Sequence, residues 1–188
     1  MMRNNLWSCV NDGRALWRMC VVALLLSAAL AHGVNANAVA PQAEEQTNFN
    51  LEEPVARPAT IPPDVLRGLG QDEKVLTCLT SGGGNATVEI PAAWFAASEV
   101  HLNGDKLPDL VVKPQNACLN GANIGPFWVF RNTGRGYALV LRADTLGLEV
   151  LRTRTRGYRN IRLSSATARR VQTSLLKFDG KTYRAARR

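Results

Sequence analysis

Downstream of Ala86 the apolar residues come in short runs separated by clusters of Gly, Asn, Asp and Thr. Phe127–Arg131 (FWVFR) and Tyr137–Arg142 (YALVLR) flank Asn132-Thr133-Gly134-Arg135-Gly136, a composition that marks a hairpin. Leu148–Thr153, Arg159–Leu163 and Val171–Phe178 continue the pattern. Ahead of them, Thr87–Ile90, Glu99–Leu102 and Leu110–Val112 read as short extended pieces around a Pro91-Ala92-Ala93-Trp94-Phe95 bend. Asp179-Gly180, between Lys177-Phe178 and Thr182-Tyr183, predicts a type I′ turn, which needs positive φ at both central positions. Turn signals at this spacing predict an antiparallel sheet.

Upstream, the pattern changes. Pro62-Pro63-Asp64 opens a short helix carrying Val65, Leu66 and Leu69, which Gly70 closes. Asp72 caps a second, with Val75, Leu76, Cys78 and Leu79, ended by Ser81-Gly82-Gly83-Gly84-Asn85. Residues 39–60 are polar, acidic and proline-dotted, and predict an extended or disordered linker. The fold expected is a single α+β domain over 61–188, its short N-terminal helices packed on an antiparallel β-sheet.

The N-terminus is of another kind. Cys20–Ala31 is an uncharged apolar run, short for a bilayer span. Arg3, Arg14 and Arg18 precede it, and Ala36-Asn37-Ala38 follows as a small-x-small cleavage pattern. Residues 1–38 therefore read as a secretory signal peptide, with an uncleaved anchor as the alternative and Met1, Met2 or Met19 as the start. The expectation is an exported protein, periplasmic or secreted, without a membrane span once cleaved after Ala38. Two cysteines then remain, Cys78 and Cys118, and in an oxidising compartment they most simply form a disulfide. Two buried free thiols are the other reading.

Charge adds an asymmetry. Residues 39–109 hold 4 Lys/Arg and 11 Asp/Glu, whereas residues 131–188 hold 15 and 3. The second half can present a basic surface to an anionic partner, or the two halves can neutralise each other. The densest run is Arg152-Thr153-Arg154-Thr155-Arg156-Gly157-Tyr158-Arg159. Strand alternation sets Arg152, Arg154 and Arg156 on one face, with Arg159 adjacent. Guanidinium groups so placed suit phosphate or carboxylate. An anionic envelope polymer, a lipid head group or an acidic protein surface fits; export makes nucleic acid an unexpected target.

His101-Leu102-Asn103-Gly104-Asp105-Lys106-Leu107-Pro108-Asp109-Leu110 places oxygen-bearing side chains at alternate positions around a glycine. This resembles the calcium loop of FG-GAP and VCBS-type repeats, as in integrin α-subunit propellers. Asn103, Gly104, Asp105, Pro108, Asp109, Leu110 and Val111 match that pattern. The resemblance implies ligands from Asn103, Asp105, the Leu107 carbonyl and Asp109. Two departures, His101 for an acid and Lys106 for a glycine, leave two carboxylates and weak calcium binding at most. The favoured reading is a turn whose Asn and Asp side chains cap their own backbone. Together with PFWVFR, LRTRTRGYRNI and FDGKTYR, the chain over 61–184 is similar to small exported bacterial proteins of unassigned activity. One loop does not make a multi-bladed propeller.

Little points to catalysis. His101 is the one histidine outside the signal-like segment, and no Walker or dinucleotide-binding glycine motif is present. Asp105 or Asp109 with Glu89 or Glu99 offers paired carboxylates for hydrolysis of an envelope polymer. Trp94 and Trp128 read as core, with a sugar-binding platform as the alternative. The function expected is a non-enzymatic binding module without a catalytic cofactor, its contacts at Arg152, Arg154, Arg156 and Arg159; the rival is that hydrolase.

Overall fold

A computed structural model of the chain describes residues 44–81, 89–167 and 170–186. The signal-like segment 1–38, residues 39–43 of the predicted linker, and positions 87–88 of the predicted strand Thr87–Ile90 lie outside that range. Helix α1 spans Pro63–Leu69 and α2 Glu73–Ser81. The strands are β1 (Asn48–Asn50), β2 (Phe95–Val100), β3 (Asp109–Pro114), β4 (Gly125–Asn132), β5 (Tyr137–Thr145), β6 (Gly147–Thr155), β7 (Tyr158–Thr167), β8 (Arg170–Phe178) and β9 (Tyr183–Ala185).

These strands form two antiparallel sheets where the pattern predicted one. One runs β1-β6-β7-β8-β9, the other β2-β3-β4-β5. The chain changes sheets between β5 and β6 across a single residue, Leu146. Thr145 Oγ1 donates to the Ser164 carbonyl at 2.6 Å, and the Leu146 N–H to the same oxygen at 2.9 Å. The corner is closely packed at Gly147, where a Cβ would lie 2.8 Å from Ser164 Oγ and 3.1 Å from the Phe49 carbonyl oxygen. Across the corner the core-facing positions shift by one residue, from Leu141 and Ala143 to Leu148 and Val150.

Phe49, Phe127, Val129, Leu148, Ile161 and Phe178 fill the space between the sheets. On the other face of the four-stranded sheet, Trp128 and Phe130 pack with Val65, Leu69 and Val75 of the helices. β4 thus contributes to two cores, which explains its continuous apolar run. The predicted cap is present: Asp72 Oδ1 accepts from the Lys74 N–H at 2.9 Å. Its Oδ2 accepts from Trp128 Nε1 at 2.9 Å and Arg142 Nε at 3.0 Å, pinning α2 to the sheet. Burial alone would push the Asp72 carboxyl up, but these two hydrogen bonds and the Arg142 charge hold it below the usual carboxylate range. Cys78 of α2 and Cys118 form a disulfide.

The linker expectation is corrected over 44–60. β1 pairs with β6, and Phe49 is 2% exposed; its burial contributes about 2 kcal/mol. Thr47 accepts from the Val150 N–H at 2.8 Å, and the Ala59 N–H donates to Ala97 at 2.8 Å. Lys113, a buried residue of β3, donates from Nζ to the carbonyls of Asn50 (2.8 Å), Leu51 (3.0 Å) and Glu53. Burial pulls the lysine below its ordinary pKa, and the Glu53 charge opposes that. Phe49 and Val55, widely spaced, are buried, and backbone bonds and the Glu45–Arg159 pair complete the hold, so the segment carries no periodic apolar signal.

Two turns differ from expectation. The β6–β7 hairpin turns on Arg156 (φ 53°) and Gly157 (φ 82°), positive at both central residues as in type I′. At the β8–β9 turn only Gly180 is positive, at 111°. There the Asp179 carboxylate instead accepts from the Thr182 and Lys181 N–H groups, both at 2.8 Å. Those bonds draw its pKa down to about 2. Among the described residues no helix is long and apolar enough to cross a membrane.

Candidate functional site

The loop between β2 and β3 folds onto its own backbone. Asn103 Oδ1 accepts from the Asp105 N–H at 3.2 Å, and Asp105 Oδ1 from the Leu107 N–H at 3.0 Å. Asn103 Nδ2 donates to Asp105 Oδ2 at 2.7 Å and to the Tyr158 hydroxyl at 3.3 Å. Asp109 is fully buried; Oδ2 accepts from the Leu102 N–H at 2.9 Å and Oδ1 from the Asn132 N–H at 2.8 Å. It ties the loop to the β4–β5 hairpin. Burial raises the Asp109 carboxyl, a rise the two N–H bonds only partly offset. Lys106 has φ 64°, the left-handed conformation in which the resembling pattern has glycine.

The side chains of Asn103, Asp105 and Asp109 are therefore engaged within the protein. Among the described residues, no cluster of three or more His, Cys, Asp or Glu could hold a metal ion. Calcium in the millimolar range is expected to leave the melting temperature unchanged relative to EDTA, because only a ligand favouring the native state raises it. A rise that Asp105→Ala abolishes would contradict this.

The structure divides the arginine run. Arg152 and Arg154 are exposed on β6, whereas Arg156 occupies the turn and Arg159 lies across the hairpin on β7. Arg156 donates to the Asp179 carbonyl. Arg154 Nη1 donates to the Gly157 carbonyl at 2.8 Å and to the Leu102 carbonyl at 3.5 Å. Arg152 forms no ion pair among the described residues. Arg159 is 8% exposed. Its Nε donates to Leu151 O at 2.8 Å and its Nη2 to Val150 O at 2.9 Å, satisfying β6 carbonyls. Its Nη1 meets Glu45 Oε2 at 2.5 Å. A desolvated guanidinium so fully bonded is a structural residue whose one remaining direction faces a cleft.

That cleft has a volume of about 560 Å³, and Arg152, Arg154, Arg159, His101 and Glu45 line it with Glu149. Glu149 is committed to Arg162 at 2.8 Å. Glu45 also accepts from the His101 backbone N–H and lies 3.4 Å from His101 Nδ1. Sequence reasoning missed Glu45, which sat in the acidic stretch taken for linker. Lys113 was missed too, though a lone lysine inside an apolar strand run is a readable signal.

The other candidates fall elsewhere. Trp128 is buried at 1% exposure with its Nε1 donated to Asp72, which leaves no face for a sugar. Glu89, Glu99 and Asp105 are exposed. Asp109, enclosed and with both oxygens bonded, offers no accessible carboxylate to pair with them.

No protein-family model, curated protein or solved structure matches this chain.

Proposed function

We propose that this protein is an exported, non-enzymatic binding module that takes an anionic partner in the cleft beside β6. The observation that carries this reading is the arrangement of the arginines. Arg152 and Arg154 stand exposed at the cleft, and behind them Arg159 is fixed by two β6 carbonyls. Guanidinium groups held in place lose little entropy when they meet a carboxylate or phosphate, and their fork geometry suits either. The disulfide and the signal-like N-terminus support residence in an oxidising compartment outside the cytosol. The loop at Asn103–Asp109 serves as a structural turn that positions His101 at the cleft.

The test is a fluorescence titration with poly-L-glutamate at several salt concentrations. Arg152→Ala/Arg154→Ala is expected to weaken binding about tenfold or more and to flatten its salt dependence, since two guanidinium contacts are each worth about 1 kcal/mol. Equal binding by the variant and the wild type would overturn the assignment of this cleft.

A further inference from the structure

Glu45 stands between two depressions. The 560 Å³ cleft toward Arg152 and Arg154 and a second, of about 440 Å³ and lined by Arg57, Thr60 and Glu99, share Glu45 and His101 as walls. The side chain of Glu45 is 28% exposed, so it caps the junction without being sealed into the core. Its carboxylate is received by Arg159 Nη1 and the His101 N–H, both held by other structure. Arg159 is anchored through Nε and Nη2, and His101 follows directly on β2. A preformed guanidinium and a backbone N–H aimed at one point make a carboxylate receptor. The present occupant belongs to residues 44–47 of this chain, just ahead of the three-residue β1.

We propose that Glu45 fills the anchoring subsite of the cleft in place of a partner's carboxylate, and that the partner is an acidic, extended polypeptide. Release of Glu45 joins the two depressions into one groove. That groove runs from Arg57 past His101 and Arg159 to Arg154 and Arg152. An acidic residue of the partner then takes the Arg159 position, and neighbouring acids meet the exposed arginines of β6. Glu45 is thus a built-in competitor that lowers affinity for the partner by the fraction of time it holds the subsite. This rests on the binding reading above.

Anisotropy of labelled poly-L-glutamate tests it with purified wild type, Glu45→Gln, Glu45→Asp and Arg152→Ala/Arg154→Ala. Glutamine keeps an oxygen for the His101 N–H but gives up the charge that holds Arg159. Glu45→Gln is expected to bind about tenfold more tightly than wild type, the effect of removing a competing ion pair worth about 1.4 kcal/mol. Unchanged or weaker binding by folded Glu45→Gln overturns the competitor role. If wild type still binds through Arg152 and Arg154, the cleft assignment survives that result; if no protein binds, both fall. Should Glu45→Gln unfold, Glu45→Asp, whose shorter side chain retracts from Arg159, is read in its place. Failure of both to fold would make Glu45 purely structural and overturn the proposal. Tighter binding of Glu45→Gln to polyphosphate than to poly-L-glutamate would overturn the choice of partner.

Discussion

Lys113→Met will destabilise the protein by about 3 kcal/mol in urea unfolding, because it removes the ammonium that the Asn50, Leu51 and Glu53 carbonyls share. Methionine matches the lysine stem closely, so the change isolates the charged head from the packing of β3. Two effects compete. Desolvating an ammonium is costly, as the depressed lysine pKa reflects, and an apolar side chain removes that cost. Against it, three acceptors lose a charge-assisted donor, each such bond contributing about 1.5–3 kcal/mol. The carbonyls remain after the substitution, so their loss outweighs the relief. The effect will be local as well as global. Amide exchange will accelerate at Leu51 and Val150, whose N–H groups bond Leu146 and Thr47 across the same segment. A loss below about 1 kcal/mol with unchanged exchange would show that the buried Phe49 and Val55 and the β1–β6 bonds hold residues 44–60 without the ammonium.

Removing the disulfide will have the other large effect. Cys78 and Cys118 are separated by 40 positions, and closing a loop of that length lowers the entropy of the unfolded chain by an amount worth about 4 kcal/mol. The bridge also fastens α2 to the short turn Ala117–Leu119, where Asn116 caps the Cys118 N–H at 2.8 Å. Cys78→Ala/Cys118→Ala is expected to lower the melting temperature by roughly 10 °C. Reduction of the wild type should reproduce most of that shift. A change under about 1 kcal/mol would mean that the helix layer holds through Val65, Leu69 and Val75 without the bridge.

Local chemistry explains which parts of this fold were legible. Pro63 and Asp72 announce helix starts through backbone constraints that act within a few residues, and both helices begin where those signals lie. Strands β4 to β8 likewise follow runs of apolar and β-branched residues between turn clusters. The division into two sheets is marked in the sequence only by a one-residue phase change at Thr145–Gly147, where the core-facing positions pass from Leu141 and Ala143 to Leu148 and Val150; between two short runs such a change reads as an ordinary turn. The arginine run was legible as a run but not as a surface. Arg-Gly makes the type I′ turn at Arg156-Gly157, and the Arg-Thr alternation continues to the bend without marking it. Arg156 is therefore in the turn, while Arg159 reaches the same cleft as Arg152 and Arg154 from a buried position across the hairpin. The calcium-like loop shows the same limit. Its Asn103 and Asp105 side chains cap their own backbone, as the spacing predicts, but the bond of Asp109 to the distant Asn132 N–H is not encoded near it. Glu45 reaches the site through long-range pairing of β1 with β6, which nothing near it in sequence encodes.

The exposed and the buried arginines have different tasks, which stability and binding measured on the same variants separate. Arg152→Ala/Arg154→Ala and Arg159→Ala would be compared with wild type in urea unfolding and in poly-L-glutamate binding. Removal of the exposed pair is expected to change stability by no more than about 0.5 kcal/mol while binding falls about tenfold. Arg159→Ala is expected to lose about 3 kcal/mol, because the β6 carbonyls and Glu45 lose their buried partner. The reverse pattern, with stability lost at Arg152 and Arg154 and binding untouched, would contradict this assignment.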